Sequence, residues 1–158
     1  MYLASAIINE VTPLVLALTS RKGYERLIID EVEASLHPEK QLELVRFLNR
    51  LNNAGISIIL STHSDTFVSK LNNLYVLSEY IKENSNNGIE KYFHLKKEDL
   101  IHSENLFVYE FIFQPNGKSI VKEIIPDSRT GFQSGLFTKP AKVNESEYAV
   151  SIKITLDN

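Results

Sequence analysis

Two short apolar runs with an amphipathic stretch between them constrain this chain more than any other feature. "LIID", Leu27 to Asp30, and "ISIIL", Ile56 to Leu60, are too short and too continuously apolar for amphipathic helices. They read as buried strands of the parallel type. Between them, Pro38 suits the first turn of a helix, Leu44, Val45, Leu48 and Leu51 fall on one stripe, and Gly55 supplies the stop. Strand, helix and strand in succession predict a right-handed βαβ unit, and with it an α/β fold.

Ahead of this unit, Leu3, Ile7, Val11, Leu14 and Leu18 recur at helical spacing, so a core-facing helix is expected to end near Gly23, with a kink or a second start at Pro13. After "STHSD" the pattern changes. Leu74–Ile81 and Ile89–Leu95 read as strands around "KENSNNG", and Phe107–Phe113 with Ser119–Ile125 as a hairpin around "QPNGK". The closing "EYAVSIKITL" alternates like a half-exposed strand. The expected organisation is a parallel βαβ half, residues 1–81, and a mainly antiparallel extension, residues 82–158, packed on the same domain. The aromatic residues Tyr75, Tyr80, Tyr92, Phe93, Phe107, Tyr109, Phe111 and Phe113 are expected to fill the core there, since no runs of lysine or arginine interleave them.

Composition removes several function classes. At 158 residues and 43% hydrophobic, the chain suits one domain with a real core. Its net charge of −3 is spread without blocks, which gives no electrostatic case for a broad nucleic-acid surface. The absence of cysteine excludes disulfides, thiolate metal sites and a cysteine nucleophile, and agrees with a reducing cytoplasm. The apolar run Leu14–Leu18 is preceded by Asn9, Glu10 and Pro13 with no basic residue before Arg21, which is not the pattern of a secretory signal. No stretch approaches a membrane span.

In open α/β sheets, ligands sit at the carboxyl ends of the strands. Asp30 and Glu31 lie at that end of the first predicted strand, and His63, in "LSTHSD", lies just past the second. Nucleotide hydrolysis uses such a set: one carboxylate holds Mg²⁺, the next accepts a proton from the attacking water, and a histidine hydrogen-bonds the terminal phosphate. The bland alternative is that Asp30 and Glu31 cap the following turn and that His63 opens the next helix. A further alternative is a metal-dependent nuclease built from Asp30, Glu31, His63 and Asp65. His37 reads as a helix-start residue, and His94 and His102 stand without metal-like spacing.

"LIIDEVEASLHPEKQ" followed by "SIILSTHSDTFVSKL" resembles the second half of an ABC-type ATPase head domain. The likeness is nearest to the AAA-type ATPases grouped with the structural-maintenance-of-chromosomes, RecF-like and overcoming-lysogenization-defect proteins. It implies a P-loop NTPase core that binds ATP and Mg²⁺, with Asp30 as the Walker B magnesium carboxylate, Glu31 as the catalytic base and His63 as the switch histidine at the γ-phosphate. It also places "EASLHP", including His37, on the loop facing a partner subunit across the nucleotide, and makes Ser5 a remnant of the ABC signature. Heads of this kind work as nucleotide-sandwiched dimers, and relatives serve DNA repair, chromosome organisation and antiphage defence.

One departure qualifies the resemblance. The phosphate-binding Gly-x-x-x-x-Gly-Lys-Ser/Thr loop is not in this sequence; Gly117-Lys118-Ser119 would need a glycine at position 112, which is Ile112. Without such a loop, carboxylates alone repel a triphosphate, so little ATPase activity is expected of this chain by itself. The expected reading is the Walker-B-and-switch half of a head, completed by a Walker A-bearing N-terminal half or partner chain, with DNA involved indirectly at most. The rival is a non-catalytic protein-interaction module descended from such an ATPase.

Overall fold

The computed structural model describes residues 2–19, 23–31, 33–34, 36–84, 88 and 93–133; within the first helix it describes the side chains of 8, 11–16, 18 and 19. The elements are α1 (Tyr2–Thr19), β1 (Arg26–Ile29), α2 (Pro38–Asn53), β2 (Ser57–Leu60) and α3 (Asp65–Glu83). Two short 3₁₀ turns follow, Lys97–Asp99 and Ser103–Asn105, and then β3 (Val108–Phe113) and β4 (Ser119–Ile124). They form two compact units, Met1–Leu106 and Phe107–Asn158.

In the first unit, β1 and β2 pair in parallel with Leu27 beside Ile58 and Ile29 beside Leu60. The strand–helix–strand pattern of the sequence thus gives the expected βαβ crossover. Helix α2 starts on Pro38, whose missing N–H would be unpaired in a first turn anyway. It stops in a Schellman arrangement: Gly55, at φ +97°, donates its N–H to Asn52 O (3.0 Å), and Ile56 donates to Leu51 O (3.1 Å). The core gathers Leu44, Val45 and Leu48 from α2, Phe67, Leu74 and Tyr75 from α3, and Leu27 from β1.

Among the described residues, only one face of the β1–β2 pair is covered. Leu27, Ile29, Ile58 and Leu60 turn toward the helices, whereas Ile28 and Ile59, register partners on the other face, are 77% and 53% exposed.

The structure departs from the sequence expectations in several places. Leu74–Ile81 is the second half of α3 and not a strand, because the buried side chains Phe67, Leu74, Tyr75 and Ser78 follow a helical stripe, with two consecutive residues inside that a strand would send to opposite faces. The predicted strand Ile89–Leu95 lies mostly outside the described residues, and its described end is a turn at Phe93–His94. Helix α1 runs through Pro13 without a break, and beside the buried Leu14 it exposes Ile8, Val15 and Leu16. Residues 95–101, placed by sequence with the extension, contribute Leu95 and Ile101 to the first unit's core.

The second unit contains the expected hairpin, with Phe111 opposite Val121 and a loop closed by Gln114 N–H donating to Lys118 O (2.8 Å) around Gly117 at φ +76°. Glu110 and Ile124 are buried, while Phe107, Tyr109, Phe111 and Phe113 are exposed, so core filling does not account for these four aromatics. Tyr92 and the predicted strand in "EYAVSIKITL" lie outside the described residues.

Candidate functional site

Parallel pairing ends β1 and β2 at the same edge, so the residues after Ile29 and Leu60 emerge side by side. Ser61 N–H continues the ladder by donating to Ile29 O at 3.1 Å. From this point the two segments exchange side-chain hydrogen bonds. Ser61 Oγ donates to the Asp30 carboxylate and accepts from Glu31 N–H at 3.2 Å. The Glu31 carboxylate faces the His63 ring, Oε1 to Nε2 at 3.2 Å, with the imidazole largely exposed.

Glu31 itself sits at φ +45°, in the left-handed region that costs a non-glycine residue on the order of 1 kcal/mol. Its carbonyl accepts from Ala34 N–H (2.8 Å), closing a turn after β1. Backbone held in a sparsely populated conformation gathers at functional sites, where the surroundings over-determine it. Here the surroundings are the Ser61 hydroxyl and that turn.

The bland readings of this trio do not match the side-chain geometry. Asp30 and Glu31 reach across to the segment after β2, and helix α3 is opened not by His63 but by Ser64, whose Oγ accepts from Phe67 N–H at 3.2 Å. His37 lies immediately before α2, exposed and without a side-chain cap bond. Ser5 stands in α1, and its side chain is outside the described set. Gly117-Lys118-Ser119 is part of the hairpin loop and the start of β4, not a strand-to-helix turn.

Residues that the sequence did not single out complete the site. Glu33 is buried, and its Oε1 accepts from Thr62 Oγ1 (2.5 Å), His63 N–H (2.9 Å) and Ser64 N–H (3.2 Å). Gln41 links the two sides, its Oε1 accepting from Ser64 Oγ (2.5 Å) and its Nε2 donating to Leu36 O (2.9 Å). The available signal was the carboxylate two positions after the acidic pair, set against the donor-rich "STHS".

Residues 11–69 match the family model described as "AAA domain, putative AbiEii toxin, Type IV TA system". The matched stretch, which covers the βαβ unit and the site just described, is thus similar to an AAA-type, P-loop ATPase-like domain. Neither the curated proteins nor the solved structures hold a match to the chain. A full P-loop core is not present in the described fold, which has one parallel pair and one antiparallel pair.

For Mg²⁺ the donor chemistry fits. Asp30 is an exposed carboxylate beside the Ser61 hydroxyl, and Mg²⁺ is commonly held by one or two carboxylates with phosphates and water supplying the rest. Among the described residues no group of three or more His, Cys, Asp or Glu is placed to hold a metal ion, so a nuclease site built on Asp30, Glu31, His63 and Asp65 has no geometric support. No described helix is long and apolar enough to cross a membrane. A shallow groove of about 440 Å³, lined by Leu42, Asp65, Thr66, Ser69, Lys70 and Asn73, includes none of Asp30, Glu31 or His63.

Proposed function

We propose that this chain supplies the Walker B carboxylates and the switch histidine of an ATP-hydrolysing head, and that a segment or partner carrying the Gly-x-x-x-x-Gly-Lys-Ser/Thr loop completes the site. The observation that carries this reading is the convergence of Asp30, Glu31 and His63 at one end of a parallel strand pair, with the Glu31 and His63 side chains 3.2 Å apart. Mg²⁺, bound at Asp30, would offset phosphate charge. Glu31 is the base that takes the proton of the attacking water, and His63, beside it, hydrogen-bonds the terminal phosphate, so that the water lies between Glu31 and that phosphate. Ser5 and His37 would lie toward a second head in a nucleotide-sandwiched homodimer. DNA takes part at most indirectly, through whatever the head is coupled to, and the setting is cytoplasmic.

The bare face of the strand pair supports the need for a completing segment. Parallel sheets are ordinarily covered on both faces, and among the described residues this two-stranded one, with Ile28 and Ile59 exposed, has neither a further strand nor cover on that face. The test is reconstitution of this chain with a loop-bearing half. Mg-ATP hydrolysis is expected from the pair and not from the chain alone, and Glu31→Gln is expected to lower the rate on the order of 100-fold or more. A reconstituted pair that hydrolyses ATP equally well with and without Glu31→Gln overturns the role of Glu31.

A second reading, a non-catalytic interaction module, draws on the exposed aromatic row Phe107, Tyr109, Phe111 and Phe113. It predicts a reconstituted pair that assembles but does not turn over ATP.

A further inference from the structure

One turn touches the His63 segment in two ways. Glu31, at its start, is half-exposed and faces the His63 ring; Glu33, two residues on, is 6% exposed and holds the backbone of that same histidine. Three donors converge on Glu33 Oε1: the Thr62 hydroxyl and the N–H groups of His63 and Ser64. All three come from the segment between β2 and α3. The other carboxylate oxygen, Oε2, is buried and has no hydrogen-bond partner among the described residues. Burying a carboxylate is costly unless it is well compensated, so a chain that needed only packing here would do better with an apolar side chain.

We infer that Glu33 is the positioning residue of the site: its carboxylate clasps residues 62–64 and thereby sets the His63 ring against Glu31. The inference rests on the reading of Glu31 and His63 as the water- and phosphate-facing pair. The geometry gives the clasp its purpose. His63 is exposed and belongs to neither β2 nor α3, so nothing else described holds its own backbone N–H. Loop segments of this kind sample many positions unless hydrogen bonds fix them. The Gln41 bridge from Leu36 O to Ser64 Oγ secures the next residue, which leaves Glu33 as the tie on His63 itself.

The test needs neither nucleotide nor partner. In the full chain, the ring Nε2 nitrogen shift of His63 is followed by NMR at one fixed pH, with and without Glu31→Gln. The shift is expected to respond to Glu31→Gln when Glu33 is present. In Glu33→Ala that response is expected to fall to about a quarter or less. In Glu33→Gln, whose amide oxygen can still accept from the three donors, at least about half should remain. A Glu33→Ala chain that is folded by circular dichroism and keeps the full response overturns the inference. Should Glu33→Ala not fold, the unmodified chain decides: the His63 and Ser64 amides are expected to exchange at least about tenfold more slowly than in an unstructured peptide, and unprotected exchange at both overturns the clasp. The ATPase reading fails by a different result, undiminished hydrolysis by the reconstituted pair carrying Glu31→Gln, so the two failures are distinguishable.

Discussion

Asp99 is fully buried, yet it keeps its charge through its partners. Burial alone would raise its pKa, but the Arg50 hydrogen bond (Nε to Oδ1, 2.6 Å), the Lys96 N–H (3.0 Å to Oδ2) and the charges of Arg50 and Arg46 together hold it below the ordinary 3.8. The folded pKa is depressed, so the carboxylate contributes stability that is present above the unfolded value and lost as pH falls through the folded one. Asn49 and Asn53 fasten the same turn by donating to the carbonyls of Glu98, Asp99 and Leu100, which ties the 3₁₀ segment to α2. Asp99→Ala leaves Arg50 Nε–H and Lys96 N–H without their acceptor and is expected to cost about 2–3 kcal/mol at pH 7. Asp99→Asn, which keeps the shape and loses the charge, is expected to cost less and to converge on the unmodified chain in urea titrations well below pH 4. A gap between the two that is unchanged at acid pH refutes the contribution of charge.

At the scale of elements, the end of α2 offers the cleanest experiment. Gly55 occupies a left-handed φ of +97°, and a Cβ built there meets nothing within 4 Å, so Gly55→Ala probes backbone strain without a clash. The expected loss is about 1–2 kcal/mol, read as a lower urea midpoint at constant slope. An unchanged midpoint contradicts the need for glycine. The same helix explains why the βαβ unit was legible in sequence: apolar stripe, proline start and glycine stop agree with one another, and consistency across levels is what specifies a structure. Helix α3 was half-hidden for the opposite reason. "LYVLSEYI" carries β-branched and aromatic residues, and one of its inward positions is Ser78, a polar residue that interrupts the apolar stripe. Its burial is made tolerable by Ser78 Oγ donating to Leu74 O (2.6 Å) and accepting from Ile101 N–H (2.7 Å), a partner 23 positions away that no local pattern announces. The site divides in the same manner. Asp30, Glu31 and His63 follow strand ends and were visible, whereas Glu33 acts through contacts about thirty residues distant in sequence.

For the whole molecule, the decisive surface is the uncovered side of the β1–β2 pair. A side chain as exposed as Ile28 contributes little to the stability of the chain that bears it, and surface changes are usually within about 0.5 kcal/mol. A completing segment laid over this face would bury it, and full burial of an isoleucine is worth about 1.5–3 kcal/mol. Ile28→Thr is therefore expected to leave the urea midpoint of the isolated chain nearly unchanged while weakening its affinity for the loop-bearing half about 10- to 100-fold. A matching change at Phe111, which belongs to the other compact unit, is the control for a general loss of stickiness. If Ile28→Thr lowers the stability of the isolated chain by the full amount, the face is already covered within it; if neither stability nor affinity moves, the completing half sits elsewhere. Only a neutral effect alone with a large effect in the pair would place the proposed loop-bearing half on the exposed face of β1 and β2, beside the strand ends where Asp30, Glu31 and His63 converge.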